Sequence, residues 1–297
     1  LGKDIILDTT LVDMYAKCGE LARAQEVFDE LPKRNVVTWN TLISGYIHHG
    51  LDDKALKCYK LMQDEGCSPN AVTFICILKA ISRMGLLEMG EEIHAHVSER
   101  GLLQKDIVLG TTLVDMYVKC GLLNKAQNVF NELPKRNIVT WTALITGYCQ
   151  LGQVNVVLDL YSKMGAAGVV PNSVTFTVLL NACCHAGLVK EGEKLLDEMC
   201  VYCLTPTLEH YTCMIDLFGR AGQFDKVNAL LDNFPHSGHL PLLRSILAAC
   251  RKWRNVKLGK WAFEQVLQSD EKNAAAYVSM ANIYASAGIQ MDVNKAS

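Results

Sequence analysis

Several common sources of function are missing from this sequence. No apolar run is long enough to cross a membrane. The longest, around AVTFICIL (Ala71 to Leu78), ends at Lys79, far short of the ~20 residues a span requires. Charge of one sign is lacking too: 29 Lys and Arg stand against 31 Asp and Glu, a net charge of −2. That excludes the bulk positive field of a non-specific nucleic-acid binder, so any hold on a nucleic acid has to come from local groups. There is no Gly-rich phosphate loop and no G-x-S-x-G. A single C-x-x-C occurs, CVYC at Cys200 to Cys203, with no second half-site, and a structural zinc centre needs two. No H-x-E exists and Met199 rather than proline precedes Cys200, so the H-x-E and P-C-x-x-C pair of a zinc nucleotide deaminase is absent. The pairs His48/His49 and His94/His96 have no acidic or thiol partners at ligand spacing. No catalytic residue, metal ligand or cofactor is expected. No secretory or Arg/Ser-rich transit segment opens the chain. Residues 1–4 read as the tail of a unit already begun, and a fragment of a longer protein is the expectation.

What the sequence does have is repetition. TTLVDMYAKCG (Thr9 to Gly19) returns as TTLVDMYVKCG (Thr111 to Gly121), 102 positions later, with Ala16 replaced by Val118. The match runs on without gaps from Leu11–Tyr46 onto Leu113–Tyr148, and NAVTFICILKA (Asn70 to Ala80) aligns with NSVTFTVLLNA (Asn172 to Ala182). Inside this superperiod lie shorter, mutually similar units: 5–35, 36–70 and 71–106, then 107–137, 138–172 and 173–207, of 31, 35, 36, 31, 35 and 35 residues. Self-similarity at such a period is the signature of a solenoid. A chain of 297 residues, half of them apolar, is otherwise long for one core.

Each unit reads as two helices. Leu11, Met14, Tyr15 and Cys18 fall at i, i+3, i+4 and i+7, one face of a helix, and are expected to be core. Gly19 supplies the backbone freedom of a C-terminal cap. Leu21, Ala24, Val27, Phe28 and Leu31 form a second stripe that Pro32 stops, and Gly121 and Pro134 repeat the punctuation. Short helix pairs cannot bury both stripes alone, but stacked neighbours can. The twelve cysteines lack the spacing of a disulfide framework. They read as small buried hydrophobes in a reducing compartment.

Solenoids carry function at positions that vary between otherwise similar units. The fifth residue of each unit is Thr9, Asn40, Ile75, Thr111, Thr142 and Thr177, and the last is Asn35, Asn70, Asp106, Asn137, Asn172 and Thr207. Both sit at the join between units and can be neighbours in space. Helix capping accounts for the closing Asn residues as readily as ligand binding does. It does not account for the second residue, always aliphatic: Ile6, Val37, Val72, Val108, Val139 and Val174. An aliphatic group beside a polar pair suits a flat ligand with a polar edge, such as a base.

LVDMYAKCGELARAQEVFDELPKRN, VVTWNTLISGYIHHGLDDKALKCYKLMQDEGCSPN and AVTFICILKAISRMGLLEMGEEIHAHV resemble the S, P and L motifs of pentatricopeptide repeat proteins of the PLS subclass, found in plants. The resemblance covers nearly the whole chain: S, P and L at 5–35, 36–70 and 71–106, then again at 107–137, 138–172 and 173–207. LEHYTCMIDLFGRAGQFDKVNALLDNFP, within 208–239, resembles the final S motif. ILAACRKWRNVKLGKWAFEQVLQSDEKN, within 240–273, and AAAYVSMANIYASAG, within 274–297, resemble a first and a partial second E motif.

The resemblance implies an all-α fold, a right-handed α-solenoid superhelix of helix-turn-helix repeats. It also implies single-stranded RNA binding at one base per repeat, in line with the general behaviour of such arrays. The fifth and last residues then select the base and the second residues sandwich it. Carried over, Thr9/Asn35, Thr111/Asn137 and Thr142/Asn172 favour A, and Asn40/Asn70 a pyrimidine. Ile75/Asp106 and Thr177/Thr207 are weaker readers. Thr212/His239 fits no standard pair, and Glu209 replaces the aliphatic residue there. With the N-terminal repeats toward the 5′ end and the final S motif four nucleotides upstream of an edited cytidine, the expected site is 5′-A-Y-N-A-A-N-N-N-N-N-C. The family implies a mitochondrial or chloroplast setting. Its E motifs bring in a deaminase and accessory editing proteins, while the deaminase domain itself follows those motifs. No membrane or DNA partner is expected. Two other readings stay open: a protein-binding scaffold like the tetratricopeptide arrays, and RNA stabilisation or splicing without editing.

Overall fold

A computed structural model describes residues 5–232 and 239–289. The motif tail assigned to 1–4, the 233–238 stretch of the final S motif and the 290–297 end of the second E motif lie outside the described residues. Among the described residues the chain is helical throughout, with no strand. It divides into two compact halves, Leu1–Gly147 and Tyr148–Ser297.

The first half contains α1 (Ile5–Lys17), α2 (Leu21–Asp29), α3 (Val36–His48), α4 (Asp52–Asp64), α5 (Ala71–Met84), α6 (Leu87–Glu99), α7 (Ile107–Lys119), α8 (Leu123–Glu132) and most of α9 (Ile138–Gln150). The second contains α10 (Val154–Ala166), α11 (Ser173–Ala186), α12 (Val189–Val201), α13 (Leu208–Ala221), α14 (Phe224–Asp232), α15 (Leu240–Trp253), α16 (Val256–Ser269) and α17 (Ala274–Ser286). In the first half α1, α3, α5 and α7 stack on one another in order, each flanked by the helix that follows it; in the second, α11, α13, α15 and α17 stack likewise. From α1 to α17, each odd-numbered helix opens on the first residue of a sequence unit.

The repeated punctuation has a local cause. Gly19 (φ +82°) and Gly121 (φ +76°) take left-handed conformations two residues past the end of the first helix of their pairs, where a side chain would be strained. At the close of the second helix, Arg34 Nε donates to Phe28 O at 3.3 Å and Arg34 Nη2 to Asp29 O at 3.1 Å. Arg136 does the same to Phe130 O (2.6 Å) and Asn131 O (2.7 Å). A guanidinium on the last carbonyls satisfies acceptors that a helix end leaves open. The same arginines lie over the Phe28 and Phe130 rings at 5.0 and 4.9 Å. Trp39 and Trp141 meet those rings edge-on at 4.7 and 4.8 Å. The LPKRN…TW spacing thus builds one Arg–Phe–Trp stack at each of these two joins, 5–35 to 36–70 and 107–137 to 138–172. A Cβ on Gly45 of α3 would stand 2.7 Å from Ala16 Cβ of α1, so these helices approach closer than an alanine at position 45 allows.

One expectation about the core is corrected. In the second copy Leu113, Met116 and Tyr117 are buried, and their helix α7 packs on α5. In the first copy Met14 is 43% exposed and Cys18 is exposed, with Leu11 and Tyr15 partly open; Val12 and Ala16 are buried instead. The stripe is the surface that faces a preceding helix pair. Among the described residues α1 has only α2 and α3 against it, so that face is uncovered.

The cysteines are all unpaired. Burial raises the thiol pKa of Cys58, Cys183 and Cys213 to about 11 and of Cys250 to about 12. Burial, followed by the hydrogen bond to Asp216, raises that of Cys184 further still. A nucleophilic thiol needs the opposite shift. Two outcomes follow. With a disulfide-exchange reagent on native protein, Cys18, Cys200 and Cys203 react first, and Cys58, Cys183, Cys184, Cys213 and Cys250 react only after unfolding. Phe130→Ala removes the centre of an Arg–Phe–Trp stack and costs about 3–5 kcal/mol, read as a lower urea midpoint, whereas an unchanged midpoint would show that the stack is not structural.

Candidate nucleic-acid interface

The second residues of the six units are not core. Ile6, Val37, Val72, Val108, Val139 and Val174 are 52 to 72% exposed. Single exposed aliphatics are ordinary on a protein surface, but the same exposed position in six consecutive units is not scatter. Each lies in the first turn of the first helix of its pair, beside the join.

At the first join the candidate groups converge. Ile6, Thr9, Asn35 and Val37 line one open cleft of about 380 Å³, together with Thr10, Asp13 and Thr41. Two aliphatic side chains from successive units and two small polar residues therefore border a single space. Through Asp13 and Thr41 it continues into a second cleft that includes Lys17, Ser44 and His48. Lys17 Nζ sits 2.7 Å from Asp13 Oδ2, as Lys119 does from Asp115. Such exposed pairs are weak, and the ammonium remains available to a passing anion.

The closing residues do cap helices. Asn35 Oδ1 accepts from Val37 N (2.9 Å) and Thr38 N (3.0 Å). Asn70 accepts from Thr73 N (3.1 Å), Asn137 from Thr140 N (2.9 Å) and Asn172 from Thr175 N (3.0 Å). Asp106 Oδ1 accepts from Val108 N and Leu109 N, and His239 Nδ1 from Leu242 N at 3.4 Å. Capping and ligand contact are not alternatives here. A backbone N–H can only donate, which fixes the amide oxygen toward the helix and leaves Nδ2–H2 on the other side. Among the described residues that NH2 group of Asn35, Asn70, Asn137 and Asn172 donates to no protein acceptor.

The fifth residues reach these caps to different degrees. Asn40 is buried, and its Nδ2 donates directly to Asn70 Oδ1 at 3.1 Å. Thr111 is also buried and reaches Asn137 through the hydroxyl of Thr140, 2.6 Å away. Thr177 reaches Thr207 through His210, whose Nε2 lies 3.2 Å from Thr177 Oγ1 and whose Nδ1 lies 2.8 Å from Thr207 Oγ1. Thr142 is half-buried on α9, and Ile75 is half-buried on α5 with no polar group to offer. Thr212 donates to Leu208 O of its own helix, and no hydrogen bond joins it to His239.

Sequence reasoning missed the third residue of the following unit. Thr38, Thr73, Thr140, Thr175 and His210 are all 0% exposed. Four of the five spell Asn-x-x-Thr with the preceding cap, the spacing of a capping box, and that signal was available. Among the described residues no group of His, Cys, Asp or Glu side chains could hold a metal ion, and no helix is long and apolar enough to cross a membrane.

Comparison with known proteins identifies the family and the fold. A profile described as the PPR repeat family matches residues 34–83 and 136–185, and one described as the PPR repeat matches 9–36, 111–138, 174–203 and 209–239. Between residue 9 and residue 239 they leave out only 84–110 and 204–208. A chloroplastic pentatricopeptide repeat-containing protein of Arabidopsis thaliana is 37% identical over 297 residues, 99% of this chain and 40% of its own length. A mitochondrial one from the same plant is 36% identical over 286 residues, 96% of this chain and 45% of its own length. The chain thus spans less than half the length of these two relatives. In fold it is similar to the crystal structure of the pentatricopeptide repeat protein PPR10 in complex with an 18-nucleotide psaJ RNA element, with a TM-score of 0.73 at 17% identity, over 97% of this chain and 46% of that one. It is also similar, with a TM-score of 0.51 at 17% identity, to the PPR domain of Arabidopsis thaliana protein-only RNase P 1 in complex with tRNA, over 60% of this chain and 98% of that one. The architecture is an all-α helical-repeat solenoid, and the chain belongs to the pentatricopeptide repeat family.

Proposed function

We propose that the chain is a sequence-specific single-stranded RNA-binding module that reads one base per unit at the joins. The observation that carries this reading is the row of exposed aliphatic second residues. All but Val72, whose unit has Ile75 in fifth place, stand beside a polar fifth-and-last pair, and at the first join these groups share one cleft. Two aliphatic walls accept the faces of a base, and the polar groups between them meet its edge. Protein–RNA recognition of unpaired bases works by this combination of stacking and edge contacts. A chain of net charge −2 has no general attraction to phosphate, so binding rests on these local contacts. Two solved relatives in fold are bound to RNA.

The base assignments follow from the pairs: A at Thr9/Asn35, Thr111/Asn137 and Thr142/Asn172, and a pyrimidine at Asn40/Asn70. The finer role we assign is target recognition for C-to-U editing of an organellar transcript, at 5′-A-Y-N-A-A-N-N-N-N-N-C. This rests on the PLS and E-motif resemblance. The mitochondrial and chloroplastic names of the relatives support the organellar setting. In this role the chain supplies recognition, and the cytidine chemistry belongs to a deaminase partner engaged through 240–297.

In gel-shift titration, RNA carrying 5′-A-Y-N-A-A binds more tightly than a variant with G at the fourth and fifth positions. The difference at each well-read base is about 1–3 kcal/mol, on the scale of bidentate base contacts in DNA. Equal affinity for both RNAs would remove the assignment. Asn137→Asp replaces an NH2 donor with an acceptor oxygen, which suits the N1–H and N2–H2 donors of guanine, and moves the fourth position from A toward G.

A further inference from the structure

The buried polar residues of this chain are few, and nearly all belong to one device. Among the described residues they are Thr38, Asn40, Thr73, Thr111, Thr112, Thr140, Thr175 and His210. Apart from Thr112, every one is a fifth residue or the third residue of a unit. A hydroxyl buried this fully is costly unless its hydrogen bonds are made, and at the fourth join they are made in a single direction.

Asn137 Oδ1 accepts twice from Thr140, once from the backbone N–H at 2.9 Å and once from the hydroxyl at 2.9 Å. An amide oxygen cannot donate, so the Thr140 hydroxyl proton is committed to Asn137. Thr140 Oγ1 also lies 2.6 Å from Thr111 Oγ1. With its own proton spent, Thr140 can only accept there, and the Thr111 proton points inward. A hydroxyl has one proton and two lone pairs. Thr111 is therefore left with acceptor capacity alone, and Asn137 with its NH2 donors alone.

We infer that a buried polar third residue, as Thr140 is at this join, is a specificity-determining positioning residue: it sets the donor and acceptor polarity of the fifth-and-last pair that reads the preceding base. This deepens the RNA-reading proposal and rests on it. One acceptor beside one donor matches the adenine edge, where N6–H2 donates and N1 accepts. It opposes guanine, where O6 accepts and N1–H donates, so both contacts meet their like. Thr140 touches no base itself, yet without its hydroxyl the Thr111 proton is free to turn outward toward O6.

The same relay is wired differently at two other joins. The Thr73 hydroxyl has one proton and two amide oxygens in reach, Asn40 Oδ1 at 2.7 Å and Asn70 Oδ1 at 3.1 Å; the shorter contact takes it, and Asn40 Nδ2 donates to Asn70 Oδ1 at 3.1 Å. That leaves a pair whose free groups are mostly NH donors, which suits the N3 and O2 acceptors of cytosine among the pyrimidines. At the sixth join His210 replaces threonine. Its Nδ1 accepts from the Thr207 backbone N–H at 3.0 Å, so the ring proton is on Nε2, which faces Ser173 O (2.9 Å) and Thr177 Oγ1 (3.2 Å). Thr177 donates to Ser173 O as well. The ring acts as an acceptor toward one partner and a donor toward the other.

The test measures affinity for four RNAs, with A or G at the fourth and at the fifth position, using the full chain and three variants. Thr140→Val keeps the shape and the backbone cap and deletes the hydroxyl. Thr140→Ala is the second deletion should the valine variant not fold, and Thr140→Ser restores the hydroxyl. The expected result is a wild-type preference for A of at least about fivefold at the fourth base, reduced at least about threefold in the valine or alanine variant and recovered in the serine variant. The preference at the fifth base, read by Thr142/Asn172, stays unchanged throughout. An unchanged ratio at the fourth base in a hydroxyl-deleted variant would overturn the inference, and so would an equal fall at both bases. Absence of any preference in the wild-type chain would instead overturn the underlying RNA reading.

Discussion

The structure turns on the hydrogen bond by which the last residue of one unit caps the first helix of the next. A helix start leaves backbone N–H groups without partners, and a closing Asn supplies the acceptor. That bond does more than end a turn. It holds the join in a fixed geometry, since the same short linker carries an Arg on the carbonyls of the helix behind it and the Asn on the amides of the helix ahead. Because Oδ1 is consumed, the amide's two donors are left over at one place in every such join. In the proposed RNA-reading role, stability and recognition therefore draw on opposite ends of the same side chain.

Other features follow from that fixed join. The exposed second residue lies two positions after the cap and the buried third residue three positions after it, so one is carried outward and the other inward by helix geometry. Where the third residue is threonine, as at Thr38, Thr73, Thr140 and Thr175, it is buried while its aliphatic neighbour one position earlier is exposed. Close approach of first helices, as at Gly45 against Ala16, brings the fifth residue of one unit within reach of the third residue of the next. The binding surface proposed for these joins repeats with the unit and needs neither a bulk charge nor an enclosed pocket.

Much of the fold was legible in the sequence. Gly19 and Pro32 marked helix ends because their backbone constraints act locally, and the 102-residue superperiod gave the units. The burial of Met14 and Cys18 was misjudged for a reason no local pattern contains: a stripe is core only when a neighbouring pair covers it, as it does for Met116 and not for Met14. At the site, the polarity of Asn35 and the aliphatic character of Val37 were readable, since they recur at fixed positions. The role proposed for Thr140 was not, because it rests on a hydrogen bond to Thr111, 29 residues earlier in the chain, and sequence spacing alone does not show which threonines meet. The Asn-x-x-Thr capping spacing was the one available hint, and it accounts for the helix cap without revealing the relay.

Selection from a pool of randomised single-stranded RNA, followed by sequencing of the bound fraction, tests the central claim most directly, because it presupposes no target. Enrichment of A-Y-N-A-A, with adenines three nucleotides apart at the first and fourth positions and a third at the fifth, is the result this account predicts. Recovery of a pool with no positional preference, or of a motif whose first and fourth bases differ, would contradict it.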